Sequence, residues 1–164
     1  MGFAHPVVRD YGIAGLVLPL GGHGGTLRAM LTLTRRFGFS AAHRLHSTAL
    51  DASGNACTYG LCENIHGHNY RLEVTVTGAV DAKTGFFCNV LELTAIVKDL
   101  VVDPCEHRLL NDLPLFADTI TTMEGLSQRI YAILEPALAA KGMTMTELLL
   151  GETDEHWVRI RRDE

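Results

Sequence analysis

Cys62-Glu63-Asn64-Ile65-His66-Gly67-His68-Asn69-Tyr70 is the stretch on which the fold of this chain turns. Beyond it Tyr70, Leu72, Val74 and Val76 alternate with Arg71, Glu73, Thr75 and Thr77, the period-2 pattern of a half-buried strand. Carried backward, the apolar side of that strand includes His66 and His68, so both imidazoles point inward where the strand begins. Gly67 between them leaves the opposite side bare, which lets another backbone or a ligand approach closely. A single inward histidine is usually a hydrogen-bonded core residue. Two in register, with a thiol four residues before the first, point to a metal site.

Upstream, Leu31, Leu33, Arg35, Phe37 and Phe39 form a second alternating run, which leads into Ser40-Ala41-Ala42-His43-Arg44-Leu45. His43 falls on the same odd-numbered side as the two phenylalanines. If the two strands pair antiparallel, it approaches His66 and His68. Between the strands, 47–60 is rich in Ser, Asn, Gly and Thr and reads as a long loop, which in a compact domain is usually functional. It brings Cys57 and Cys62 to the mouth of the histidine cluster. Two ligand sets stay open at this point: three histidines, or a closed Cys2His2 set of Cys57, Cys62, His66 and His68. Residues 1–29 read as an N-terminal extension, a strand or arm with a Gly-rich elbow at 21–25, and 30–164 as one domain. His5 and His23 have no partner at ligand spacing.

Downstream, Asp81 to Gly85 is a turn, and a short strand is expected over Phe86 to Asn89. Leu93, Ile96, Val97, Leu100 and Val101 recur at helical spacing, with Asp103-Pro104 expected to close that helix. A second helix starts at Thr122, its N-cap, with Glu124 in the first turn and Leu126, Ile130 and Ile133 inward; Pro136 is expected to kink or end it. The chain closes with a hairpin around Gly151 to Glu155. Paired strands with helices between the pairs predict an α+β fold: an antiparallel sheet with two helices on one face, in the order β-β-α-α-β-β.

The chain has 164 residues, 47% of them hydrophobic and 20% charged, which suits one globular domain. A formal charge of -5 without a basic block gives no footing for nucleic acid. No apolar run is long enough to cross a membrane, so a cytoplasmic location is the default expectation. The four cysteines, Cys57, Cys62, Cys88 and Cys105, read as reduced. Cys88 and Cys105 suit burial as small hydrophobes.

Phe39 to Leu45 around His43, Cys62-x-x-x-His66-Gly67-His68-Asn69-Tyr70, Thr84-Gly85 with Asn89, His107 with Leu110-Asn111-Asp112, Thr122 with Glu124, and Glu152-Thr153 together resemble the 6-pyruvoyltetrahydropterin synthase family. That family includes the 6-carboxytetrahydropterin synthases of queuosine biosynthesis. The resemblance spans about 31–162. It implies a tunnelling fold (T-fold) and a homo-oligomer, a hexamer built as a trimer of dimers with sites at subunit interfaces. It also implies Zn2+ on His43, His66 and His68, and a small-molecule pterin substrate, 7,8-dihydroneopterin triphosphate. Cys62 is then the base, helped by His107 and the neighbouring Glu106, while Glu152, Thr122 and Glu124 meet the pterin. Of the possible products, the spacing from Cys62 to His66 favours 6-carboxytetrahydropterin over 6-pyruvoyltetrahydropterin. Glu63 fits a further reading, side-chain cleavage to 6-hydroxymethyldihydropterin for folate, and otherwise is a solvated loop acid. Glu106 stands where the family usually has Asp, and Met123 where it often has a second Thr; these departures also fit a silent relative that binds zinc and pterin without turnover.

Overall fold

The computed structural model describes residues 16–19, 26–29 and 31–162, with side chains from 31 onward. Strands β1 (Leu16–Pro19) and β2 (Thr26–Ala29) form a small antiparallel pair. The expected Gly-rich elbow at 21–25, His5 and His23 lie outside the described residues.

The main sheet has the order β3 (Thr32–His43), β4 (His66–Thr77), β5 (Thr144–Gly151) and β6 (Trp157–Arg161), antiparallel throughout. Alternation sorts its residues onto two sides. Phe39, Ala41, Tyr70, Leu72, Val74, Val76, Leu148 and Leu150 are buried on one. Arg36, Glu73, Arg159 and Arg161 carry ion pairs on the other. Helices α2 (Val90–Val97) and α4 (Met123–Ala139) cover the apolar side with Leu93 and Val97, and with Leu126, Ile130, Leu134 and Leu138. Each fully buried aliphatic side chain contributes about 1.5–3 kcal/mol relative to exposure. This is the α+β arrangement expected, two main helices on one sheet face.

Three local expectations are corrected, and one is narrowed. The loop at 47–60 contains helix α1 (Ala52–Tyr59), followed by a 3-10 turn, Gly60–Glu63. Asp51 caps α1 by accepting from the Gly54 amide at 2.7 Å. What anchors it is polar: Asn55, wholly buried, accepts from Ser47 N and donates to the carbonyls of Ser47, Leu50 and Asp51. The strand expected at Phe86 to Asn89 is absent, and Asn89 instead caps α2 by accepting from Leu91 N. The helix expected to stop at Asp103-Pro104 runs on through a π-helical turn, Lys98–Val102, into α3 (Asp103–Cys105). The widened turn leaves room for the Pro104 ring, which would otherwise meet the carbonyl four residues back. Of the two outcomes expected at Pro136, ending the helix is excluded, since α4 continues to Ala139. Among the described residues no helix is long and apolar enough to cross a membrane.

Candidate functional site

The β3–β4 register decides the site: His43 stands opposite His66, and Ala41 opposite His68. The three rings lie 4.5–5.1 Å apart, centroid to centroid, at the end of the sheet's apolar side. Gly67 makes the close approach expected of it, since a Cβ there would lie 3.3 Å from the Ala41 carbonyl oxygen. One ligand atom from each histidine falls within 4.8 Å of the other two, and neither cysteine joins the group. Of the two ligand sets open from sequence, the geometry assembles the three-histidine one.

Protonation follows from the hydrogen bonds. A carbonyl only accepts, so His43 Nδ1–H donates to Thr121 O and His66 Nδ1–H donates to Asn64 O, each at 2.8 Å. Both Nε2 atoms are then bare lone pairs, yet they face one another at 3.1 Å. Two lone pairs at that distance repel unless a cation or a proton lies between them. Nitrogens bound to one tetrahedral zinc at about 2.05 Å would stand roughly 3.3 Å apart. His68 Nε2 is buried without a hydrogen-bond partner, a third free donor. Burial pushes the His43 and His68 imidazoles below the usual histidine range, opposed at His43 by the Thr121 carbonyl and at His68 by the Glu152 carboxylate. Neutral imidazoles are what a metal needs. The donor set fits a metal ion.

The remaining candidates are distributed around this cluster. Glu152, in the turn after β5, brings its carboxylate to 3.9 Å from His68 Nε2. Glu106 and His107 sit at the outer edge of β3: His107 N donates to Ser40 O at 2.7 Å, while one Glu106 oxygen accepts from Ser40 N and the other lies 3.2 Å from His107 Nε2. His107 takes a left-handed backbone, φ 56°, uncommon for a side-chain-bearing residue and frequent at functional turns. A hollow of about 510 Å³, lined among others by Ser40, Gly67, Asn69 and His107, runs from this corner to His68, the one member of the histidine cluster in its lining. Its size suits a small molecule.

Cys57 and Cys62 are both exposed, and the Cys62 carbonyl accepts from Leu45 N at 2.8 Å. No hydrogen bond or ion pair joins Cys62 to His107 among the described residues. Their anchor points, Leu45 and Ser40, are separated by roughly 16 Å of extended chain. Glu63 lies 3.8 Å from His46 Nδ1. Thr122 is the N-cap of α4, accepting from Gly125 N, and Glu124 is exposed in its first turn. Two contacts had no signal in the sequence: the Thr121 carbonyl behind His43, and the pairing of His46 with Glu63.

Comparison with known proteins gives this geometry its context. The family model described as 6-pyruvoyl tetrahydropterin synthase matches residues 32–163. The chain is 42% identical over 130 residues to a 6-pyruvoyl tetrahydrobiopterin synthase of Dictyostelium discoideum, covering 79% of this chain and 94% of that protein. It is 31% identical over 116 residues to a putative 6-carboxy-5,6,7,8-tetrahydropterin synthase of Archaeoglobus fulgidus, covering 71% of this chain and 92% of that one. The structure of the Caenorhabditis elegans 6-pyruvoyl tetrahydropterin synthase superposes with a TM-score of 0.74 at 29% identity, over 82% of this chain and 97% of that one. The sheet and its helices are therefore a T-fold, and the chain belongs to the 6-pyruvoyl tetrahydropterin synthase family.

Proposed function

We propose that this protein is a zinc-dependent lyase that converts 7,8-dihydroneopterin triphosphate to a tetrahydropterin with loss of triphosphate. The observation that carries the reading is the convergence of three imidazoles, one of them lining a hollow that His107 also lines. Three protein ligands leave a coordination position open, the arrangement of catalytic rather than structural zinc.

His43, His66 and His68 would hold the ion, which supplies Lewis acidity toward the hydroxyls and developing carbonyl of the substrate side chain. Cys62, as thiolate, takes a proton from a side-chain carbon. At His107, Nε2–H is directed at the Glu106 carboxylate, leaving Nδ1 to accept and return a proton. Glu106 is itself held by the Ser40 amide, so it fixes the ring's orientation. Glu152 offers two oxygens to the guanidine-like edge of a pterin, a planar two-point contact. Thr122 and Glu124 border the same site in the family pattern. Because Cys62 and His107 are not joined within one chain and His107 is 81% exposed, a second copy completes the acid–base half. That assembly is a hexamer of the kind the resemblance implies, acting on a small molecule in the cytoplasm.

The spacing from Cys62 to His66 favours 6-carboxytetrahydropterin as product. A second reading, the 6-pyruvoyl compound, is favoured by the higher identity to the Dictyostelium relative. The folate-type cleavage is not carried forward, because the side chain that suggested it, Glu63, faces His46. Incubation of the zinc-loaded protein with 7,8-dihydroneopterin triphosphate, followed by mass identification of the pterins, tests the proposal. Carboxytetrahydropterin with acetaldehyde is the expected result. The pyruvoyl compound would select the second reading, the hydroxymethyl compound would restore Glu63 as a base, and unchanged substrate would contradict the lyase assignment.

A further inference from the structure

The three histidines are not held alike. His66 is anchored by Asn64, two residues away in its own approach to β4, and His68 has no hydrogen-bond partner on Nε2. His43, 1% exposed, is held from a distance by a knot of three chain segments. Its Nδ1–H donates to the carbonyl of Thr121, just before α4. The hydroxyl of the same Thr121 donates to the carbonyl of Arg44, the residue after His43, at 2.9 Å. Asn111, in the 3-10 turn Leu110–Asp112, closes the knot. Its Oδ1 accepts from Arg44 N at 2.9 Å, and its Nδ2 donates to Arg44 O at 3.0 Å and to Thr121 Oγ1 at 3.1 Å.

The donor count closes without remainder. Asn111 uses both amide hydrogens and its oxygen, and Thr121 uses its one hydroxyl hydrogen. The consequence is mechanical. The backbone that carries His43 is gripped at Arg44, the ring is gripped at Thr121 O, and the Asn111 side chain ties Arg44 to the hydroxyl of that same Thr121. A side-chain amide is suited to this, since it presents a donor and an acceptor to the C=O and N–H of one residue, as a neighbouring antiparallel strand would. No ionised group is needed, so the fit of the imidazole is preserved without adding charge beside the cation.

We propose that Asn111 and the Thr121 hydroxyl are positioning residues for the metal, holding the Arg44 backbone and the Thr121 carbonyl in place so that His43 keeps its direction, although neither approaches the ion. The inference rests on the three-histidine metal reading above. Partners behind a ligating histidine are worth on the order of 10- to 100-fold in metal affinity. Zinc affinity, measured by competition with a chromophoric chelator on the folded full chain, is the readout, with no dependence on turnover. Asn111→Ala should weaken zinc by about 10- to 100-fold. Thr121→Val, which keeps the shape and the carbonyl but removes the hydroxyl, should weaken it in the same direction, and Thr121→Ser should restore it. Arg129→Ala, which cuts the tie from Arg129 to Leu115 O elsewhere in the preceding loop, should leave affinity unchanged. Affinity unchanged in Asn111→Ala, or loosened as much by Arg129→Ala, would overturn the proposal. If Asn111→Ala does not fold, the Thr121 pair decides: Val equal to wild type overturns it, and Val weak with Ser restored supports it. His66→Ala separates this from the parent reading. Zinc held as tightly without His66 would sink the metal site itself, whereas zinc lost in His66→Ala but kept in Asn111→Ala would sink only the positioning role.

Discussion

The histidine cluster and the Glu106–His107 corner, which send His68 and His107 to the lining of one hollow, are built to different standards. His43 is buried, two of the three rings donate to backbone carbonyls, and the Nε2 atoms of His43 and His66 meet at 3.1 Å within a twelve-residue strand pairing. His107 stands 81% exposed on a left-handed turn, with the Glu106 carboxylate beside its ring. The three rings of the first region converge within one chain; in the second, no hydrogen bond or ion pair joins Cys62 to His107 among the described residues. A Lewis-acid site tolerates little displacement of its ligands, and local strand register supplies that rigidity. Proton-transfer groups, by contrast, are often loosely placed before substrate binds, and an open corner is compatible with that role.

The contrast breaks first at the thiol. Cys62→Ala should reduce turnover by on the order of a hundredfold or more while metal content stays at one per chain, because a base is removed and the ligand set is not. Steady-state kinetics beside elemental analysis checks this. Loss of metal with activity would move Cys62 into the cluster, and an equally inactive Cys57→Ala would show that the wrong thiol had been assigned.

A smaller effect is expected at Glu106. Removing its carboxylate, Glu106→Ala, frees the His107 ring and should cost on the order of ten- to a hundredfold in kcat, since misplacing an orienting group by about an ångström has that scale. Glu106→Asp restores the side chain the family usually has and should keep or raise activity, although its shorter reach sacrifices one of the two contacts, Ser40 N or His107 Nε2. Activity in Glu106→Asp as low as in Glu106→Ala would mean that the extra methylene is part of this chain's design. Neither variant should change metal content.

What was legible in the sequence followed periodicity. Alternation through His66, His68, Tyr70 and Leu72 placed both imidazoles on the apolar side, and the odd-numbered run through Phe37, Phe39 and His43 delivered the third histidine. Helix α1 was not legible because it has no apolar stripe; its one buried side chain is Asn55, which holds the preceding loop by hydrogen bonds. The passage of the helix through Pro104 was hidden because a π turn leaves no residue signature. The anchor of His43 was hidden for a simpler reason. It is a backbone carbonyl, and Thr121 would offer one whatever its side chain. Asn111 stood in a quoted family stretch, but only the fold shows that it reaches Arg44 and Thr121.

The central claim is that three histidines, without either neighbouring cysteine, hold the metal. Elemental analysis of the purified chain, of His66→Ala and of the Cys57→Ala/Cys62→Ala double variant, each after dialysis against a weak chelator, tests it directly. One zinc per chain in the wild type and in the cysteine double variant, with almost none in His66→Ala, is the predicted result. Zinc lost as completely from the cysteine variant as from His66→Ala would contradict it and assign the ion to a closed Cys2His2 site.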